Sequence, residues 1–290
     1  MLMKYSEIEE DFASLTTDAN TVLFANRVEK TYPNGTRALD EVRLRIQRSD
    51  FVSLLGPSGC GKSTLLKMFA GLEAPSHGHV RWLGTDSPRK SGLKIAMVFQ
   101  EATLMPWANV ATNVRLPLDL AGTPKADSAP RVQRALEAVG LGKFGASYPR
   151  ELSGGMQMRA SIARALVTEP DVLLMDEPFG ALDEFTRNRL DADLRALWAQ
   201  RNARSDGSDT KQLAIVFVTH SIYEAVYLSS RVVMMAARPG RMVADLRIPD
   251  PVRDDDFRLS MAFTEHCRDL SARLLAASGG EFEHDEGARR

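Results

Sequence analysis

Cysteine is scarce in these 290 residues: Cys60 and Cys267 are too few and too far apart for a disulfide framework or a clustered thiolate metal site. The expected setting is a reducing compartment. No apolar run approaches the ~18 to 20 residues of a membrane-spanning helix. Residues 1–14 carry Glu7, Glu9, Glu10 and Asp11 where a signal peptide needs an apolar core, so the chain is expected neither to export itself nor to cross a bilayer. An excess of one charge is missing too. The 37 Lys and Arg against 38 Asp and Glu leave a formal net charge of -1, without the global basic excess that often marks a nucleic-acid binder. Internal repeats and low-complexity tracts are absent as well. What is present is 44% hydrophobic residues over a length that suffices for one large or two modest domains with a real core.

After an acidic leader, Thr21 to Glu29 and Leu39 to Ile46 show mixed alternation, separated by the turn residues Pro33, Asn34 and Gly35. This predicts an antiparallel hairpin near a sheet edge. The apolar run Phe51 to Leu55 enters a glycine-rich turn, after which Leu65, Leu66, Phe69 and Ala70 recur at helical spacing: strand, loop, helix. Val172 to Met175 and Ile215 to Val218 are unbroken, as strands buried on both faces of a parallel sheet tend to be. Each of these runs ends in polar residues, and open α/β sheets bind ligands at the carboxyl ends of their strands. One shared nucleotide site is therefore expected. Between Gln100 and Arg159 the pattern turns helical, with Val132, Leu136, Val139 and Leu141 on one face, as in a helical subdomain inserted into the sheet domain. Residues 204–211 read as a polar loop. Beyond Pro251 an amphipathic helix is expected from Phe257 to Leu275, followed by a polar tail.

The segment Gly56, Pro57, Ser58, Gly59, Cys60, Gly61, Lys62, Ser63, Thr64 fits a phosphate-binding loop and has the required strand before it and helix after it. Its glycines let backbone N–H groups turn inward as an anion nest at a helix N-terminus. Lys62 would supply a cation for the β- and γ-phosphates, and the Ser63 hydroxyl would ligate Mg²⁺. Cys60 reads as a small side chain in a tight loop. Asp176 and Glu177 end a buried strand and suit two jobs, one carboxylate for the metal and the other for the attacking water as general base. Alone, such a pair is as readily a solvated strand end.

Together with Leu152, Ser153, Gly154, Gly155, Met156 and Gln157, these motifs resemble the nucleotide-binding subunit of an ATP-binding cassette (ABC) transporter over roughly residues 21–250. Read as chemistry, Ser153 is a good N-cap, Gly154 and Gly155 would expose N–H groups at a helix start, and Met158, Ile162 and Leu166 form an apolar stripe. This second anion site looks redundant within one chain. The resemblance resolves it: signature loops of that family cap the γ-phosphate held by the other protomer of a head-to-tail homodimer. It also implies that Gln100 contacts Mg²⁺ and water and senses a membrane partner, that Asp183 lies at the dimer seam, that His220 contacts the γ-phosphate, and that Tyr32 stacks on adenine. Many relatives carry glutamine at the positions of Met156 and Met158, which leaves the role of Gln157 open.

The resemblance thus implies an α/β fold of the P-loop NTPase (RecA-like) type, with a mixed sheet, an antiparallel edge and an inserted helical subdomain at about 101–160; the C-terminal helical extension, expected from its amphipathic spacing, lies beyond the resemblance. The expected division is a leader at 1–20, an ABC ATPase domain at 21–250 and an extension and tail at 251–290. ATP and Mg²⁺ are the expected cofactors. A hydrolase without a span drives transport only through separate membrane subunits, and the apolar stretch Leu104 to Val110 after Gln100 lies where the family docks its permease. Leu104–Trp107, Met175–Asp183 and Ala237–Arg241 resemble the nitrate, sulfonate and taurine import subfamily. Implied partners are a second ATPase subunit, integral permease subunits and a periplasmic solute-binding protein, with no nucleic acid; the implied location is the cytoplasmic face of the bacterial inner membrane. The competing class, a soluble ABC ATPase acting on ribosomes or DNA, usually has two cassettes or a long coiled-coil insertion, whereas this chain has one cassette and a short insertion.

Overall fold

The computed structural model describes residues 20–203, 212–237, 239–249 and 253–278. The acidic leader, the 204–211 loop, Pro251 and the polar tail lie outside them. Two sheets face each other across a core that also holds the helix at Lys62–Phe69, and the other face of the larger sheet is covered by helices. The larger holds six strands in the order β5 (Ile95–Val98), β6 (Val172–Asp176), β7 (Ala214–Thr219), β3 (Phe51–Leu55), β8 (Arg231–Ala236) and β9 (Arg241–Arg247), all parallel except β9.

The buried runs form its centre, and alternate residues serve opposite faces. Phe51, Leu55, Leu173, Met175, Ile215 and Phe217 pack against one core. Val52, Leu54, Val172, Leu174, Val216 and Val218 pack against the other. Strands wholly apolar on both faces are forced into the middle of such a sandwich, and their polar ends therefore converge.

The predicted hairpin is β1 (Thr21–Thr31) and β2 (Arg37–Gln47). Its turn is closed by the Gly35 N–H on the Tyr32 carbonyl at 2.9 Å and by the Asn34 side chain on the Thr36 N–H at 3.0 Å, with Gly35 at φ +82. It does not edge the main sheet. β1 also pairs with β4 (His77–Trp82), so the three strands make a sheet of their own. The reason is burial: Leu23, Ala25, Val28, Val42 and Leu44 share a core with Val80, Trp82 and the helix α1 (Lys62–Phe69). The chain runs on from β4 through the single turn α2 (Pro88–Ser91) into β5.

The inserted segment holds α3 (Val110–Leu120), α4 (Lys125–Ala138) and α5 (Gly154–Leu166). Val132, Leu136, Val139 and Leu141 are all buried in one core with Met158, Ile162 and Leu166. The strand expected at Ile95 to Phe99 stops at Val98, and Phe99 is half exposed. After β6 come α6 (Glu184–Ala203) and, after β7, α7 (Ile222–Leu228). The single helix expected from Phe257 to Leu275 is two, α8 (Asp255–Leu259) and α9 (Met261–Ser278). Ser260 breaks it by leaving the helical region and capping the Phe263 N–H at 3.1 Å. Phe257, Phe263, Cys267 and Leu270 join the same core as the subdomain helices.

Candidate active site

The phosphate-loop segment leaves β3 and closes on α1. Gly59 and Gly61 hold φ of +78 and +87, which only glycine adopts without strain, and Gly61 caps α1. Gly56 and Gly61 are required by contact as well: a Cβ on Gly56 would meet the Met235 carbonyl at 2.4 Å, and one on Gly61 the Ala38 carbonyl at 2.7 Å. Pro57, Ser58 and Gly59 face solvent, whereas Cys60 is fully buried and its thiol is pushed up by that burial. Cys60 is thus a core side chain of the loop. Lys62 lies inside the curve, donating to the carbonyls of Gly56 at 2.7 Å and Pro57 at 2.9 Å.

The Ser63 hydroxyl donates to Asp176 Oδ1 at 2.8 Å, across 113 positions of sequence. Burial raises the Asp176 carboxyl; the Ser63 hydrogen bond opposes that, and the neighbouring Glu177 charge adds to it. Two oxygen donors held this close suit a hard cation. No group of three His, Cys, Asp or Glu side chains gathers among the described residues.

Glu177 follows at φ +44, a left-handed conformation costly for a non-glycine residue. Its N–H is tied to the Val218 carbonyl at 3.1 Å and its carbonyl to the Gly180 N–H at 3.2 Å. That backbone turns its carboxylate toward His220, whose Nδ1 is 3.6 Å from Glu177 Oε2. Residues from the ends of β6 and β7 therefore meet as expected. Tyr32 also reaches the site, its hydroxyl 3.2 Å from Thr64 Oγ1 and 3.3 Å from Glu73 Oε2. Gln100 is exposed, two residues beyond a strand whose Val98 pairs with Met175.

Ser153 caps α5, accepting from the Met156 N–H at 3.3 Å. Gly154 is exposed, but Gly155 is buried, contrary to expectation, because the start of α6 packs on it: a Cβ there would lie 2.9 Å from Thr186 Cγ2. Asp183 caps α6, taking the Thr186 N–H at 2.9 Å, which lowers its carboxyl. Signature and Asp183 turn thus touch within one chain. Among the described residues, no hydrogen bond of Ser153, Gly154 or Gly155 runs to the phosphate loop. Gln157 is spent locally on the Pro149 and Leu152 carbonyls, at 3.0 and 3.3 Å, and Met158 is core.

Sequence reasoning missed three supports. Gly240 lies under the loop, where a Cβ would sit 2.1 Å from the Cys60 carbonyl; the Ala-Arg-Pro-Gly-Arg stretch carried that signal. Arg164, on the signature helix, donates to the carbonyls of Ala102 and Thr103 at 2.9 and 2.8 Å, and Asn113, fully buried, binds Met105 through both its N–H and its carbonyl. The segment after Gln100 is thereby held while Trp107 stands 77% exposed. The Thr219 hydroxyl, next to His220, donates to the buried Glu224 carboxylate.

Parallel strand, anion nest, helix and a strand-end carboxylate bonded to the loop serine define the P-loop class of nucleotide-binding folds. Residues 39–180 match the ABC transporter family. The chain is 43% identical to an uncharacterized ABC transporter ATP-binding protein of Methanocaldococcus jannaschii over 80% of its own length and 82% of that protein. It is 42% identical to the aliphatic sulfonates import ATP-binding protein SsuB of Bacillus cereus, over 78% and 86% of the two chains. With the taurine import ATP-binding protein TauB of Rhizobium johnstonii it shares 41% over 89% and 90%. A dimeric ATP-binding cassette solved in a post-hydrolysis state bound to ADP and Pi superposes at a TM-score of 0.65 and 30% identity, over 78% of this chain and 98% of that one. This chain belongs to the ABC transporter family.

Proposed function

We propose that this chain energises a bacterial importer of small sulfonate-bearing solutes of the taurine type by hydrolysing ATP at the site built from Lys62, Ser63, Asp176, Glu177 and His220. The observation that carries it is the meeting of Ser63 with Asp176 and of Glu177 with His220 at adjoining strand ends above an anion nest. It is an ABC ATP-binding subunit, uses ATP with Mg²⁺, works as a dimer and is joined to membrane permease subunits; the import names of its relatives support this.

Chemistry follows from the residues. Gly56 to Thr64 cradle the phosphates with backbone N–H groups, and Lys62 turns from loop carbonyls to the β- and γ-phosphates. Ser63 and Asp176, together with Gln100, would hold Mg²⁺, which when bound would supply positive charge at the phosphate oxygens. Glu177 orients the attacking water and accepts its proton, and His220 holds the γ-phosphate. Tyr32 offers a π-face to the base. Ser153, Gly154 and Gly155 complete the partner's site across the seam where Asp183 lies. Trp107 and Leu104, in the segment from Gln100 to Val110, meet the permease on the cytoplasmic side of the membrane, and a periplasmic binding protein delivers the solute. Among the described residues no helix is long and apolar enough to cross a membrane, which accords with a path supplied by other chains.

Glu177→Gln tests the assignment: Mg·ATP binding should persist while turnover falls by about a hundredfold or more. Turnover at the wild-type rate would refute the general base. Cells carrying only the Glu177→Gln chain should fail to take up labelled taurine; uptake equal to wild type would refute the import reading.

A further inference from the structure

The C-terminal helices reach the back of the site through buried charge. Asp191 on α6 is fully buried and accepts from Arg258 on α8 at 3.1 Å. That guanidinium also lies over the Tyr227 ring of α7, 3.6 Å from its centroid. One turn before Asp191, Arg187 donates to the Leu182 carbonyl in the Asp183 turn at 2.9 Å, and its Nε stands 3.5 Å from Glu224 Oε1 on α7. Glu224 accepts the Thr219 hydroxyl, which itself takes the Ser221 N–H at 2.9 Å. Thr219 and Ser221 flank His220, so Glu224 acts through the Thr219 hydroxyl on the turn that carries that histidine.

Two buried carboxylates thus share few cations. The charged groups facing Asp191 are Arg187 from its own helix, Glu224 from α7 and Arg258 from α8; Glu224 in turn faces His220 and Glu177. Asp191 Oδ1 and Arg187 Nε are both buried without a hydrogen-bond partner, so each is an available partner for the other if either moves.

We propose that Arg258 acts on turnover from the C-terminal segment: by pairing with Asp191 it leaves Arg187 joined to Glu224 and the Leu182 carbonyl, and this brace positions His220 against Glu177. Arg258, Arg187 and Glu224 are positioning residues. The proposal rests on the reading of Glu177 and His220 given above. Without Arg258, an ionised Asp191 draws Arg187 away from Glu224, whereas a protonated Asp191 does not. The defect is therefore gated by pH.

The test uses the full-length chain with Mg·ATP, measuring kcat and KM. Arg258→Gln should turn over within about twofold of wild type near pH 6 and about tenfold more slowly near pH 8.5, with KM for ATP nearly unchanged. Adding Asp191→Asn to Arg258→Gln should restore kcat to within about twofold at both pH values. Arg273→Ala, which breaks an exposed ion pair on α9, is the control. A pH-independent loss, or a loss that Asp191→Asn does not repair, overturns the brace. Should Arg258→Gln fail to fold, Arg187→Lys carries the test: it keeps charge but loses the forked reach, so a fall in kcat of about tenfold at constant KM supports the proposal and one below about twofold overturns it. Glu177→Gln run alongside separates the failures: if it turns over normally, the site reading is wrong, and if it is inactive while Arg258→Gln is unaffected, only the brace is.

Discussion

Replacing Asp191 with asparagine should make this chain's stability depend less on pH, by an amount the structure specifies. Asp191 is buried between α6, α7 and α8, and its carboxyl is raised from an ordinary 3.8 to about 7. Burial is the largest cause and the Glu224 charge adds to it, while the Arg258 hydrogen bond, with the charges of Arg258 and Arg187, works against it. Because the folded value lies above the unfolded one, the native chain holds a proton here that the unfolded chain releases. The stabilising contribution is complete below pH 3.8 and is lost as the pH rises through about 7. At roughly 1.4 kcal/mol per pH unit per proton, with only half the proton retained at pH 7, wild type loses about 2 kcal/mol between pH 5 and pH 7 from this group alone. Asparagine has nearly the same shape and no proton to lose. The stability difference between Asp191→Asn and wild type should therefore move by about 2 kcal/mol in favour of the variant across that window and level off above about pH 8. Guanidinium unfolding of both proteins at matched pH values reads this directly, since every other titrating group is common to the two. Parallel curves would mean that Asp191 is ionised throughout, with Arg258 fully offsetting its burial, and would refute the reasoning.

Two further outcomes follow from contacts that hold the site and its surroundings. Gly240→Ala would force a Cβ to 2.1 Å from the Cys60 carbonyl, and relieving it by shifting the phosphate loop should cost about 1–3 kcal/mol and weaken ATP binding about tenfold or more; a nucleotide titration with unchanged affinity would show that the loop is not supported from behind. Trp107→Ala removes a ring that is 77% exposed, so unfolding stability should change by less than about 0.5 kcal/mol while co-purification with the membrane subunits falls; intact co-purification would remove this ring from the permease contact.

Several elements were legible because one local pattern admitted one solution. The runs at 51–55, 172–175 and 215–218 have no polar face, so only the centre of a covered parallel sheet accommodates them. β4 was not legible. His77, Gly78 and His79 resemble a loop, and the strand exists only because Val80 and Trp82 complete the apolar face that β1 leaves open, with the Trp82 indole N–H on the Phe69 carbonyl at 2.8 Å. Burial of Gly155 was equally hidden, since a glycine packed against a distant helix and one baring its N–H to solvent are written alike.

The residue types by themselves determined the chemistry available: a glycine nest with a lysine and a serine, a carboxylate pair, a histidine and a capped signature helix, each recognisable from spacing within a single element. Tertiary structure alone decided which of them meet. The Ser63 to Asp176 hydrogen bond, the approach of His220 to Glu177, the support of Cys60 by Gly240 and the chain from Arg258 through Arg187 to Glu224 all join residues from different elements. Local spacing carries nothing about such pairs, because they are set by which strands lie side by side and by how few cations are buried next to how many carboxylates. The C-terminal segment illustrates the difference. Its sequence specified an amphipathic helix and nothing more, and only packing against α6 and α7 put its arginine beside the carboxylate on which the rear of the site depends.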